Sequence, residues 1–142
     1  MYNHVYLVEN WQANFDAIAT AVANGVHVVE AGGNGTVNLD DPQLFGRFNR
    51  NVRDSGAILV GASLSTARTP MCWSNHGTRI DMHGFGENVT TSGYGDRFNE
   101  GTNRLYTSTF SGTSSASPIV AGAVANLQGY SLATYGTNIE PS

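Results

Sequence analysis

Ser114 stands where a serine can do one of two things. It sits in Ser111-Gly112-Thr113-Ser114-Ser115-Ala116-Ser117-Pro118-Ile119-Val120-Ala121-Gly122, preceded by a glycine and a small β-branched residue that suit a tight turn. Beyond it, Ala116, Ile119, Val120, Ala123, Val124 and Leu127 recur at intervals of three and four, one stripe of a helix. Ser115, Ala121, Gly122 and Ala125 leave even the back of that helix small and nearly uncharged, the mark of a helix buried on several sides. Pro118 is expected in the first turn, where its missing N–H costs little. A serine at such a helix mouth can cap an orphan backbone N–H. It can instead be a nucleophile whose own backbone N–H, with the positive end of the helix, faces a developing oxyanion.

The elements that must hold this turn alternate between helix and strand. His4 to Val8 reads as a loop or weak strand. Trp11 to Asn24 reads as a helix, with Trp11, Phe15, Ile18, Ala19 and Val22 on one face and Asn24-Gly25 as its stop. Val26 to Ala31 is a β-branched run fit for a buried strand, closed by Gly32-Gly33-Asn34-Gly35. Thr36 to Ser55 is polar, with a turn at Asp40-Asp41-Pro42, and is expected to be a surface excursion. Ala57 to Ala62 is a second buried strand, Ser63 to Asn75 a loop broken by Pro70, and Arg79 to His83 a third short strand. Val89 to Ser92 and Tyr106 to Phe110 are placed to pair as a hairpin leading into the Ser114 helix. The alternation implies an α/β fold, a parallel sheet flanked by helices. In such sheets function gathers beyond the carboxyl ends of the strands. Asn34 follows the first strand at that kind of position, although taken alone it reads as a turn residue tolerating a left-handed conformation.

Composition narrows the partners. The 142 residues fit one domain, residues 1–142, with 13% charged residues, 17 glycines and a formal net charge of −4. That charge argues against nucleic acid and anionic membrane as partners, and no apolar run is long enough to span a bilayer. Met1 to Glu9 lacks the basic and small-residue features of a signal peptide. Cys72 is the single cysteine, so no internal disulfide forms and a cysteine-built zinc site is excluded; beside Trp73 it is expected to be a small buried hydrophobe.

The string Gly-Thr-Ser-x-Ala-x-Pro followed by Val-Ala-Gly, from Gly112 to Gly122, resembles the active-site serine motif of the subtilisin-like serine proteases (subtilases, peptidase S8). Val28-Val29-Glu30-Ala31-Gly32-Gly33-Asn34-Gly35 is similar to the family's strand and loop carrying the oxyanion-hole asparagine, with glycine at 32 where the family favours alanine. Ala57 to Ala62 resembles the strand before the family's Ser/Thr-rich loop. Ser74-Asn75-His76-Gly77 and Ile80-Asp81-Met82-His83-Gly84 resemble the blocks before the catalytic hairpin, and Tyr106 to Phe110 leads into the serine turn as it does there. The blocks run from about Phe15 to Tyr130 in family order, interrupted by an insertion-like Tyr94 to Leu105. The resemblance implies a three-layer α/β fold, Ser114 as nucleophile, Asn34 as an oxyanion donor, and a polypeptide substrate cleaved through an acyl-enzyme.

It also implies that something is missing. In the family the catalytic aspartate and histidine precede the oxyanion asparagine, yet only 33 residues precede Asn34 and none of them forms an Asp-Thr/Ser-Gly or His-Gly-Thr-x-Val block. His4 is near the terminus, His27 lies mid-strand, and His76 and His83 fall in blocks without a catalytic role in the family, so each reads as a structural histidine. A serine hydroxyl is a weak nucleophile without an adjacent base. The chain therefore reads as the C-terminal part of a catalytic domain, inactive unless an Asp- and His-bearing part or partner completes it. The other reading is a subtilisin-fold binding module without catalysis. Lacking the N-terminal part, the chain is expected to expose a sheet edge and a flank of the Ser114 helix, and to be marginally stable or to associate there. No cofactor is expected for the chemistry. The resemblance implies secretion and allows structural calcium; the oxygen donors Asp40, Asp41, Asp81 and Glu87 show no EF-hand spacing and are expected to be solvated. Asn88-Val89-Thr90 is a glycosylation sequon of a length that occurs by chance.

Overall fold

The computed structural model describes residues 7–141, so most of the His4 to Val8 segment lies outside the described residues. After a short 3-10 turn at Val8–Asn10, helix α1 runs from Gln12 to Ala23. Gly25, with φ of 81°, turns the chain out of it. Strands β1 (Val29–Ala31), β2 (Ile58–Ser63) and β3 (Met82–Phe85) form a parallel sheet in that order. β4 (Val89–Ser92), β5 (Phe98–Asn99) and β6 (Leu105–Phe110) form a second, antiparallel sheet with β6 in the centre. Helix α2, Thr113–Tyr135, follows β6 after two residues. The hairpin of β4 and β6 is as expected, and β5 comes from the insertion-like segment.

α2 lies across the parallel sheet. Ala116 and Val120 are buried against Val60, with Val29, Ile58 and Val124 packed around them. Close approach is possible because β3 carries Gly84, where a Cβ would stand 2.5 Å from the Ala116 carbonyl oxygen. Leu7, Leu39, Leu44, Phe48 and Leu59 form another core cluster. Three of those five come from Thr36 to Ser55, so that segment is not the surface excursion its polarity suggests. Its apolar residues are spaced too irregularly to show a period, and its turns are closed by its own side chains, such as Asp41 Oδ1 accepting from the Gln43 N–H.

Four other expectations need correction. The third strand begins at Met82, not Arg79, because residues 77–81 form a turn (Ile80 N–H to Gly77 O, 3.2 Å) in which Arg79 points inward. The Arg79 side chain, 1% exposed, pairs with Glu9 at 3.1 Å and Asp81 at 2.8 Å. Pro118 is the sixth residue of α2, in its second turn, so its missing N–H is the one that would have reached the Ser114 carbonyl. α2 is not buried on several sides: Ile119 and Tyr130 are 40% and 60% exposed because the sheet covers only the Ala116–Val120–Val124 side, and Leu127, further along that side, is 54% exposed. Cys72 is exposed rather than buried, in the turn where the Ser74 N–H reaches the Met71 carbonyl.

Candidate active site

The mouth of α2 lies at the carboxyl ends of β1 and β3, and hydrogen bonds from both loops hold it there. From the β3 side, Gly112 N–H donates to the Gly86 carbonyl (3.0 Å) and Ser115 Oγ donates to the Phe85 carbonyl (3.0 Å). From the β1 side, Asn34 Oδ1 accepts both the Thr113 N–H and the Thr113 hydroxyl, each at 2.9 Å. The Thr113 hydroxyl in turn accepts the Gly33 N–H at 3.1 Å. A residue 79 positions away in sequence thus satisfies one of the helix's orphan N–H groups.

This arrangement decides what Ser114 is not. The N-cap position is Gly112, at φ 105°, without a side-chain cap bond. Ser114 is the second residue of the helix; it is exposed, and its hydroxyl makes no hydrogen bond to a described residue. The capping work falls to Asn34, and the serine hydroxyl is left free.

The Asn34 amide has a fixed orientation, because the Thr113 N–H can only donate and must face the carbonyl oxygen. Its Nδ2 is therefore the outward end, and no described residue accepts from it. A single point beside Gly112, where a Cβ would stand, lies 3.2 Å from Asn34 Nδ2 and 3.6 Å from the Ser114 backbone nitrogen. A side chain at 112 would fill that space, which together with its φ of 105° explains glycine there. Asn34 Nδ2 and the Ser114 backbone nitrogen thus both lie close to Gly112, at the mouth of α2.

No described histidine serves Ser114. His27 Nε2 is 2.8 Å from the Ile139 carbonyl and 2.6 Å from Gln128 Nε2; Gln128 is roughly 21 Å along α2 from Ser114 at the helical rise. His76 pairs by its backbone with Asn38. His83 lies on β3 opposite Gly61, its ring 2.8 Å from where a Cβ would stand on that glycine. His4 is outside the described residues.

The oxygen donors considered for calcium are not gathered together. Asp40 takes the Thr78 N–H and hydroxyl, Asp41 its own turn, Glu87 the Ser65 N–H and hydroxyl. Asp81 is exposed and also bound to Arg50, Arg79 and the Leu59 N–H. Among the described residues no three His, Cys, Asp or Glu side chains are grouped to hold a metal ion.

Two features were not legible as functional in the sequence. Thr113 appears there only as a turn residue, yet its N–H and hydroxyl fix Asn34. Asn75 is buried, and its side chain accepts from the Gly35 and Val37 N–H groups and donates to the Gly32 carbonyl. Its signal was Gly33, where a Cβ would stand 2.5 Å from Asn75 Nδ2.

Comparison with known proteins identifies the family and the fold. The model of the subtilase family matches residues 3–136. An extracellular serine proteinase of Thermus sp. (strain Rt41A) is 38% identical over 119 residues, 83% of this chain and 25% of that protein. Among solved structures, a lanthipeptide protease superposes with a TM-score of 0.68 at 22% identity, over 92% of this chain and 45% of its own. The self-cleaved protease domain of PatA gives 0.63 at 24% identity, over 90% of this chain and 42% of its own. The chain thus spans a quarter of the curated relative and under half of each structure, and the structures at these identities attest the fold. From the Gly112–Gly122 serine turn through the Asn34 loop to the family match along nearly its whole length, the chain belongs to the subtilase family of serine proteases.

Proposed function

We propose that this chain is the nucleophile-bearing part of a serine endopeptidase, with Ser114 as nucleophile and Asn34 Nδ2 and the Ser114 N–H as oxyanion donors. The observation that carries the reading is that Asn34, held through its Oδ1 by Thr113, leaves its Nδ2 unengaged at the mouth of α2, beside the exposed Ser114, whose hydroxyl is unengaged among the described residues. Ser114 Oγ attacks the peptide carbonyl carbon while its proton passes to a histidine base. The two donors hold the carbonyl oxygen as it becomes an oxyanion. The proton then goes to the leaving amine, and water releases the acyl group by the same steps. The oxyanion charge develops against donors already in place, which is where such sites gain most of their rate.

The base and its orienting aspartate are supplied by polypeptide outside residues 1–142, seated on the exposed face of α2 that Ile119 and Tyr130 share and along the outer edge of β1. That the chain spans less than half of the solved structures supports a completing part. Without a base, an oxyanion hole and binding retain about 10³–10⁴ over water, a figure established for subtilisin itself. Secretion is supported by the extracellular Thermus relative; among the described residues no helix is long and apolar enough to cross a membrane.

A fluorophosphonate probe tests the proposal. Ser114 is expected to be labelled slowly in the isolated chain and rapidly once an Asp- and His-bearing upstream subtilase segment is added or fused, with Ser114→Ala silent. Unchanged labelling with every such segment would overturn it and favour a binding module.

A further inference from the structure

We infer that Asn75 is a positioning residue for the oxyanion site, a clamp that sets where the Asn34 amide points; the inference rests on the reading of Asn34 and Ser114 above. Asn34 rides on the loop 32–37, and among the described residues its side chain is anchored beyond that loop by Thr113. One buried residue holds the loop at four points, beside single bonds from the Gly32 N–H to the Val60 carbonyl, the Gly33 N–H to the Thr113 hydroxyl and the Thr36 N–H to the Trp73 carbonyl. Asn75, 1% exposed, donates its backbone N–H to the Gly33 carbonyl at 2.9 Å and its Nδ2 to the Gly32 carbonyl at 2.9 Å. Its Oδ1 accepts from the Gly35 N–H at 3.0 Å and the Val37 N–H at 2.9 Å. Two of the four bonds fall before Asn34 in sequence and two after it, so the asparagine sits at the tip of a loop pinned on both sides by one side chain.

The clamp is specific to an amide. Both lone pairs of Oδ1 are used, and one Nδ2 hydrogen is used, so the group must accept at one end and donate at the other. Aspartate keeps the acceptor end but turns a lone pair towards the Gly32 carbonyl; alanine leaves buried N–H and C=O groups unpaired. The amide also lies so close to Gly33 that a side chain there would meet it at 2.5 Å. Asn75 is itself fixed by the residues after it, where the His76 N–H reaches the Val37 carbonyl and the Leu39 N–H reaches the His76 carbonyl. A shift of about 1 Å in a positioned group can cost 10²-fold in turnover, and the Gly33 carbonyl and Gly35 N–H that flank Asn34 are both bonded to Asn75.

The test is amide hydrogen exchange on the chain, comparing wild type with Asn75→Asp and Asn75→Ala. The clamp predicts exchange at least about tenfold faster at Gly35 and Val37, and also at Thr113, whose N–H rests on Asn34 Oδ1 and touches no part of Asn75. Amides of β2 are expected to keep their protection. A residue with only a local structural role would leave Thr113 unchanged, and that result overturns the inference. If Asn75→Ala unfolds the chain, Asn75→Asp, which keeps both accepted bonds, carries the test. In the completed enzyme, Asn75→Ala is expected to lower kcat by about 10²-fold with little change in KM, and to add nothing to the loss caused by Asn34→Ala. Fully multiplicative losses would contradict it. If no completed enzyme is active, the proposed function fails, and the exchange at Thr113 still decides the role of Asn75.

Discussion

Glu30 gives the sharpest stability prediction, because it is a carboxyl group buried without full compensation. It is 6% exposed on the face of β1 away from α2. Its Oε1 accepts the Glu9 N–H at 3.0 Å, and its Oε2 has no partner among the described residues. Burial, with the nearby Glu9 carboxylate adding to it, pushes its pKa from 4.5 to about 7; the Glu9 N–H and Arg79 pull the other way without prevailing. Arg79 is already committed to both Glu9 oxygens, and the Ser55 hydroxyl to one of them. The folded chain therefore holds the Glu30 proton more tightly than the unfolded chain does. Folding takes up a proton between pH 4.5 and about 7, and this group's contribution to stability falls as pH rises through that window. At 1.36 kcal/mol per unit the loss comes to about 3 kcal/mol, complete above neutrality. Glu30→Gln keeps the acceptor for the Glu9 N–H and removes the titration. Its NH2 takes the place of the unpartnered oxygen and costs about 1 kcal/mol. The variant should then be more stable than wild type by about 2 kcal/mol at pH 8, roughly 5–8 °C in Tm for a chain of this size. It should lose the slope between pH 5 and 7 in urea midpoints, provided the m-value is unchanged. A wild-type curve that is flat or rises over this range, or an unaltered slope in Glu30→Gln, would refute the reasoning.

Other substitutions test other parts of the account. Asn34→Ala in the completed enzyme should cost about 10²–10³ in kcat, the loss known for this donor in subtilisin, with KM little changed; steady-state kinetics checks this. Gly32→Ala restores the family's alanine but sets a Cβ 2.8 Å from the Val60 carbonyl oxygen and 2.9 Å from Ile80 Cδ1. It should destabilise by about 1–3 kcal/mol, and Ile80→Val, which removes Cδ1, should recover part of that in a double-mutant cycle. Arg79→Met strips the cation from two acids and should cost about 3–5 kcal/mol, read as a lowered urea midpoint. Replacing Ile119, Leu127 and Tyr130 together by serine, glutamine and serine should reduce self-association of the isolated chain in sedimentation while weakening labelling of Ser114 in the presence of the completing segment.

Much of the frame was legible because it obeys short periods. α1, the β1–β2 pair and the β4–β6 hairpin lie within a few residues of where apolar spacing and turn residues put them, and the serine turn announces itself in one unbroken string. What escaped was carried by charge and by long-range contact. Arg79 reads as the start of a strand, yet its guanidinium is drawn inward by Glu9, 70 positions away, and residues 77–81 turn accordingly. Leu39, Leu44 and Phe48 sit in a polar stretch whose role in the core depends on Leu7 and Leu59 from elsewhere. α2 is apolar on sides that the sheet does not reach, so its stripe marks capacity for burial and not burial in this chain. At the candidate site, Ser114 and Asn34 stand out in the sequence by motif and loop. The bonds that Thr113 and Asn75 make to Asn34 and its loop join segments tens of residues apart, and no local pattern encodes those.

The convergence of Asn34 and Ser114 on one oxygen is tested most directly by determining the structure of the completed protein with a peptide boronic acid on Ser114. The account predicts a covalent bond from Ser114 Oγ to boron and one boronate oxygen at about 2.7–3.1 Å from both Asn34 Nδ2 and the Ser114 nitrogen. A boronate bound through Ser114 with neither donor facing its oxygen, or bound elsewhere with Ser114 unmodified, would contradict it.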